Sequence, residues 1–310
     1  MRGGGAAKVG ARKISHSCEN QVGMAGRVGR RNVTRRQSSF RAVALLMLLP
    51  IAGLLLFLGL RFVREVLPRR TPVIEESMIP ARKTPAKTTA RRGDIVLILD
   101  DVGFDRQPLA DAMTIDPKVN FSVLPNSRNA ATFANALSAR GFEVLCHLPM
   151  EPDNFPRVSP GPGAVLTNMS DSEIAAATRA NVAAVPHARG VNNHMGSRAT
   201  ADRRVMAAVL GALPRGMYFI DSRTTAASVG ETLARQMNVR TAARNVFLDD
   251  VPHEDAIRRQ LAELERDAAA RGVAVGIGHM YPATIKVLAE EAPRLRANGY
   301  RFRRASEVVN

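Results

Sequence analysis

The sequence predicts an α/β fold: a parallel sheet covered by helices, with a number of units that matches a (β/α)7 barrel better than an open sheet. Three observations carry this. From Asp94 onward, seven short apolar runs alternate with six stretches of helical periodicity, the order that builds parallel sheets. The strongest runs are continuous rather than alternating apolar and polar, as expected of strands buried on both faces. Polar residues gather just after the runs, where parallel α/β folds place their chemistry.

The runs fall at 95–99, 119–124, 142–146, a weak 190–193, 217–220, 246–248 and 273–277. The first is the most informative. Val96 to Leu99 lead into the adjacent carboxylates Asp100 and Asp101, with Gly103 just beyond. Side chains alternate along a strand, so the two carboxylates are expected to point different ways. One could bind a metal while its neighbour handles a proton; a helix cap and a solvated Asp is the plainer alternative. Helical patterns lie at 129–140, 171–185, 201–213, 228–236, 254–271 and 282–298. Ser170-Asp-Ser-Glu173 has the spacing of a capping box, and Pro282 suits a first helical turn.

Four segments precede or contain this pattern. Residues 1–41 are rich in Gly, Arg and Ser, with little apolar periodicity, and are expected to be a disordered basic tail. Residues 42–60 form a 19-residue stretch without a charge, nearly enough to cross a hydrocarbon core of about 30 Å as a helix. A cleaved signal peptide would have a shorter apolar region and a small-x-small site; Arg61-Phe-Val-Arg64 follows instead, so an uncleaved transmembrane anchor is expected. The longer basic run lies before it, which favours a cytoplasmic N-terminus and an extracytoplasmic (periplasmic) C-terminal domain on the inner membrane. Residues 61–92, with Pro68, Pro72, Pro80 and Pro85, read as an extended linker, and 93–310 as the folded domain.

The net charge of +16 belongs almost wholly to the tail and linker. Residues 1–92 hold 19 Lys and Arg against 4 Asp and Glu; the remainder holds 25 against 24. A nucleic-acid surface should lie on the folded domain, so nucleic acid is excluded as a partner. Cys18 and Cys146 fall on opposite sides of the apolar segment, which argues against an internal disulfide, and two cysteines build no Cys-rich zinc module.

The residues after the runs form a constellation. The first run gives Asp100 and Asp101, the third His147-Leu-Pro-Met-Glu151, and the fourth carries Asn192-Asn-His-Met-Gly196. The fifth gives Asp221-Ser-Arg223, the sixth Asp249-Asp250, and the last Gly278-His279-Met280. Three of the six histidines, His147, His194 and His279, thus stand at strand ends. Asp and His together suit a divalent cation, zinc first. A metal with an open position acidifies water and polarises a carbonyl. A nearby Asp can take the proton and a His opposite can protonate the leaving group, which equips the rim to hydrolyse an amide or ester.

These motifs resemble the polysaccharide deacetylases of the NodB-homology type, and more closely their divergent, YibQ-like branch. The resemblance rests on Leu99-Asp-Asp-Val-Gly103, His147-Leu-Pro-Met-Glu151, Asn192-Asn-His-Met-Gly-Ser197, Phe219-Ile-Asp-Ser-Arg223 and Gly278-His279, and covers roughly residues 93–308. It implies a distorted (β/α)7 barrel and metal-dependent removal of acetyl groups from N-acetylated sugars. It makes Asp100 the catalytic base, Asp101 and His147 metal ligands, and His279 the general acid. The family's second metal His falls on Glu151, so either Glu151 ligates or His194 takes its place; His194 is preferred. Asn192-Asn193 stands where the family carries an Arg-x-Pro-Tyr segment. Asp221, with Arg223, is a candidate to orient the base, or else a rim ion pair. Asp249 and Asp250 are left out of the site, a helix cap accounting for one of them.

The expectation is therefore a membrane-anchored, zinc-dependent carbohydrate deacetylase-like hydrolase acting on peptidoglycan or another envelope polysaccharide. A non-catalytic glycan-binding protein, or a structural envelope protein, on the same barrel stays open as the alternative. Protein partners are not indicated.

Overall fold

A computed structural model of the chain describes residues 91–310. The expected basic tail 1–41, the apolar segment 42–60 and residues 61–90 of the expected linker lie outside the described residues. Among the described residues, no helix is long and apolar enough to cross a membrane.

Among the described residues, nine strands and seven α-helices follow one another. The strands are β1 (Gly93–Val102), β2 (Asn120–Val123), β3 (Glu143–Met150), β4 (Gly190–Met195), β5 (Tyr218–Asp221), β6 (Thr241–Ala243), β7 (Val246–Phe247), β8 (Val273–His279) and β9 (Tyr300–Phe302). The helices are α1 (Leu109–Ala112), α2 (Ala130–Ala139), α3 (Asp171–Ala183), α4 (Arg203–Ala212), α5 (Gly230–Gln236), α6 (Glu254–Arg271) and α7 (Pro282–Ala297). Each of the seven expected runs forms a strand. The sequence pattern did not reveal β6 or β9: Thr-Ala-Ala and Tyr-Arg-Phe are too short to form an apolar run.

Eight strands pair, all in parallel, in the order β6-β5-β4-β3-β2-β1-β8-β7, and β9 pairs with the start of β1. The expected distorted (β/α)7 barrel is thus met in its coarse form: the parallel sheet is a curled half-barrel of eight strands rather than seven, and its end strands are β6 and β7. The chain itself crosses the gap between them. Arg244 N donates to Asp221 O at 2.9 Å, and Asn245 N donates to Val275 O at 2.8 Å.

Alternation along the strands sorts the core into two parts. Ile95, Leu97, Leu99, Val144, Cys146, Val191, Phe219 and Ala274 pack with apolar side chains of the helices. Val96, Ile98, Leu145, Tyr218, Ile220, Val275 and Ile277 meet inside the curl. Ala305 and Val309, after β9, pack against this inner cluster and plug the bottom. The plug brings polar groups that pair: Ala305 N donates to Asn120 Oδ1 at 2.9 Å, and Tyr218 Oη and Ser306 N both donate to Glu143 Oε1 at 2.8 Å. With the bottom closed, the inner surface opens towards the C-terminal ends of the strands.

Helix ends follow ordinary chemistry. Ser170 and Glu173 form the expected capping box at α3, a motif whose cap typically contributes about 1 kcal/mol. Pro282 opens α7, and Gly272, at φ 83°, ends α6 in the left-handed conformation that costs glycine little.

Candidate active site

The inner-facing parity of the strands builds the site. Val96 and Ile98 are inside, so the next inner position on β1 is Asp100. By the same count β3 places His147 above Leu145, and β8 places His279 above Ile277. β4 places Asn192 and then His194, β2 places Ser122, and Ser222 follows Ile220. A polar layer therefore sits directly on an apolar one at the open mouth.

Asp101 has the opposite parity and should face away. It does not, because β1 is irregular there. Leu99 pairs with Phe121 but Val102 pairs with Val123, so β1 carries an extra residue at the aspartate pair. Asp101 has φ 59°, a left-handed conformation that Asp tolerates better than most residues. This turns its carboxylate back to the mouth, and both aspartates serve one site. Positive φ at a non-glycine residue costs energy and clusters at functional positions.

Asp101, His147 and His194 each offer one ligand atom, and these atoms lie within 4.8 Å of one another. Asp101 Oδ1 is 3.3 Å from His147 Nε2 and 3.0 Å from His194 Nδ1, and the two nitrogens are 3.2 Å apart. Asp101 Oδ1 is nonetheless buried without a well-formed hydrogen bond. Two nitrogens and a carboxylate oxygen gathered within 3.0–3.3 Å of one another, the oxygen buried without a well-formed hydrogen bond, fit a small divalent cation. Glu151 is engaged elsewhere. Its Oε2 accepts from Thr167 N at 2.5 Å and Thr167 Oγ1 at 2.8 Å, and its Oε1 accepts from Arg198 Nη1 at 3.0 Å. It anchors the loop after β3 and is not among the converging groups.

Asn192, fully buried, links the cluster to Asp100. Its Nδ2 donates to Asp100 Oδ1 at 2.9 Å and Oδ2 at 3.1 Å, and to Ser222 Oγ at 3.2 Å. Its Oδ1 accepts from Ser122 Oγ and lies 3.0 Å from His147 Nδ1. An oxygen there selects the tautomer with the proton on Nδ1, leaving Nε2 free to ligate. Sequence reasoning noted Asn192 only as a departure from the family pattern; the inner parity of β4 is the signal that would have found it.

His279 stands across the mouth, with Nε2 3.9 Å from Asp101 Oδ2. Its partner is Asp249, which corrects the expectation that one of Asp249 and Asp250 is a helix cap. α6 starts at Glu254, with His253 before it and no side-chain cap. Asp249 is buried. Its Oδ1 is 2.9 Å from His279 Nδ1, and its Oδ2 accepts from His279 N at 2.6 Å and Thr284 Oγ1 at 2.7 Å. Gly278 makes this possible: a Cβ there would lie 3.2 Å from Asp249 Oδ2 and 3.1 Å from Thr284 Cγ2.

Asp221 is not brought to this site. Its parity on β5 is outward. Its Oδ1 accepts from Arg223 N at 2.8 Å, and its Oδ2 accepts from Ser228 Oγ at 2.7 Å and Glu231 N at 3.1 Å. It organises the turn into α5, so its candidacy as a residue that orients the base is corrected to a structural role.

The environments separate the titrating groups. Burial lifts the Asp100 carboxyl above its usual range, against the opposing pull of His147, His279 and Asn192. Burial also works against ionisation of Asp101, but contact with His147 and His194 and their charge outweigh it and hold that carboxyl far below the usual range. Burial disfavours charge on His147, yet Asp100 and Asp101 push its pKa up. For His279, burial is likewise outweighed, chiefly by Asp249, and the pKa rises to about 9. Adjacent carboxylates pushed in opposite directions is the pattern of divided roles. Beside Asp101 and His194 a largely apolar cavity of about 250 Å³ opens, lined by Phe104, Leu124, Pro149 and Pro160.

Comparison with known proteins agrees with this architecture. The divergent polysaccharide deacetylase family model matches residues 97–309, and the chain belongs to that family. It is similar to the uncharacterized protein YibQ of Escherichia coli K12, 34% identical over 197 residues. That match covers 63% of this chain and 61% of YibQ, so the chain spans less than two thirds of that relative's length. An uncharacterized protein of Haemophilus influenzae is 31% identical over 195 residues, 63% of this chain and 69% of that protein. In fold, the chain is similar to an uncharacterized protein from Agrobacterium tumefaciens C58, with a TM-score of 0.68 and 22% identity, covering 71% of this chain and 90% of that one.

Proposed function

We propose that the protein is a metal-dependent deacylase of N-acylated envelope glycans. Family membership supports the carbohydrate class. The observation that carries the reading is the convergence of Asp101, His147 and His194 between a buried Asp100 on one side and the His279–Asp249 pair on the other.

Asp101, His147 and His194 would hold the cation, zinc by its donor set. When bound, the cation supplies Lewis acidity, acidifying water and polarising the acyl carbonyl. Asp100, its carboxyl raised by burial, accepts the proton from the attacking water. Asn192 holds that carboxylate in place. His279 carries its proton on Nε2, aimed across the mouth, because Asp249 binds Nδ1; it protonates the departing amine. The apolar cavity beside Asp101 and His194 receives the acyl group. In the same reading residues 1–41 form a cytoplasmic tail, 42–60 anchor the chain in the inner membrane, and 61–92 tether residues 93–310 on the extracytoplasmic side. The support is the uncharged 19-residue stretch and its flanking basic residues.

The test is release of acetate from chitooligosaccharides and peptidoglycan by the full chain loaded with zinc. Release from either substrate that Asp100→Asn abolishes supports the reading. No carboxylic acid released from either would overturn it.

A further inference from the structure

A second cavity, of about 560 Å³, lies at the gap between β6 and β7 that the chain crosses. Arg223, Arg244, Asn245, Phe247, Asp250 and Glu263 are among the residues around it. It adjoins the catalytic mouth on two sides. Phe247 puts its ring 5.3 Å from the ring of His279. Arg223 follows Ser222, which accepts from the Asn192 amide that holds Asp100.

The charges at this cavity are unbalanced. Arg244 Nε donates to Ser222 O at 2.6 Å and Nη2 to Arg223 O at 2.7 Å, and its guanidinium lies 5.0 Å over the Phe247 ring. These contacts leave Nη1 uncommitted. Among the described residues, neither Arg244 nor Arg223 forms an ion pair with a carboxylate. Glu263 pairs with Arg266, leaving Asp250 as the one unpaired carboxylate beside two guanidinium groups. Burial, and then the charge of Arg223, disfavour the protonated form of Arg244, against the opposing pull of Asp221, Asp100 and Asp250. A half-buried guanidinium, held rigid by two carbonyls beside a second cation, matches a planar anion bound in bidentate fashion.

We infer that this cavity receives an acidic substituent of the glycan, so that the preferred substrate is an N-acylated sugar bearing a carboxylate. The inference rests on the deacylase reading for the word substrate, but binding tests it separately. N-acetylmuramic acid and N-acetylglucosamine differ only by a lactyl ether that carries a carboxylate. Titrated into the full chain by calorimetry, the acidic sugar binds at least about tenfold more tightly, the difference that a charge-assisted contact of ~1.4 kcal/mol gives. The preference weakens with added salt and is lost in Arg223→Gln. Arg223 is exposed and its side chain clamps nothing, so that variant keeps the wild-type Tm; Arg244→Gln loses the preference as well. Equal binding of the two sugars by wild type, or a preference surviving both substitutions, overturns the inference and leaves the deacylase reading standing. A preference without acyl release from either sugar keeps the inference and overturns the deacylase reading.

Discussion

Asn192 is the residue whose replacement separates the parts of the site most cleanly. One buried amide touches Asp100 through Nδ2 and His147 through Oδ1. Asn192→Asp keeps the volume and the oxygen facing His147 Nδ1 and Ser122, but replaces the donor facing Asp100 by a second carboxylate oxygen. Two carboxylates about 3 Å apart cannot both ionise readily, so the pair takes up a proton and Asp100 stops accepting one at neutral pH. Loss of a general base typically costs about 10²–10⁴ in turnover. Metal content should hold at about one equivalent, because His147 keeps an oxygen partner that strengthens it as a ligand. Asn192→Ala removes both functions. It leaves Asp100, His147 and Ser122 short of partners at about 1–3 kcal/mol each. It should also lower metal affinity by about 10–100-fold. The assay is zinc titration beside acetate release, for both variants. Turnover of Asn192→Asp within threefold of wild type, or equal metal affinity in Asn192→Ala and wild type, would refute the linking role.

Three further outcomes follow from the same geometry. Asp249 raises the His279 pKa to about 9, and a general acid works only while protonated, so activity falls above that value. In Asp249→Asn the alkaline limb of the pH–rate profile should move down by at least about one unit, since a bound cation shifts both proteins alike; an unmoved limb contradicts the pairing. The raised His147 pKa means that a proton competes with the metal, so zinc affinity should weaken as pH falls through neutrality, as measured by calorimetry; a pH-independent affinity contradicts it. Glu151 titrates below its ordinary value: burial opposes its ionisation, but Thr167 and then Arg198 stabilise the carboxylate. A depressed carboxylate contributes stability above the unfolded pKa and loses it as pH falls through the folded one. Glu151→Gln should therefore lower stability by about 1–3 kcal/mol at pH 7, converge with wild type in acid, and leave metal content unchanged; loss of metal would make Glu151 a ligand after all.

Much of this molecule was legible in its sequence, for physical reasons. Continuous apolar runs mark strands buried on both faces, and polar residues just past them mark the open end, so Asp100, His147, His194 and His279 could be placed on one rim before any coordinates. What was not legible depended on geometry finer than a run. The backbone irregularity that turns Asp101 inward is a matter of register between β1 and β2. Strand parity would have found Asn192 and discounted Asp221. The pairing of Asp249 with His279 needed β7 to lie beside β8, a neighbour relation that the run at 246–248 does not itself reveal. The eighth strand of the sheet escaped because β6 is only Thr-Ala-Ala.

The central claim is that three side chains from three strands, β1, β3 and β4, hold one divalent ion. The most direct measurement is elemental analysis of the purified chain, wild type against Asp101→Asn and His194→Ala, after exposure to zinc and exhaustive desalting. The account predicts about one equivalent in wild type and near none in each variant. A wild-type chain that retains no metal, or variants that retain it as well as wild type does, would contradict it.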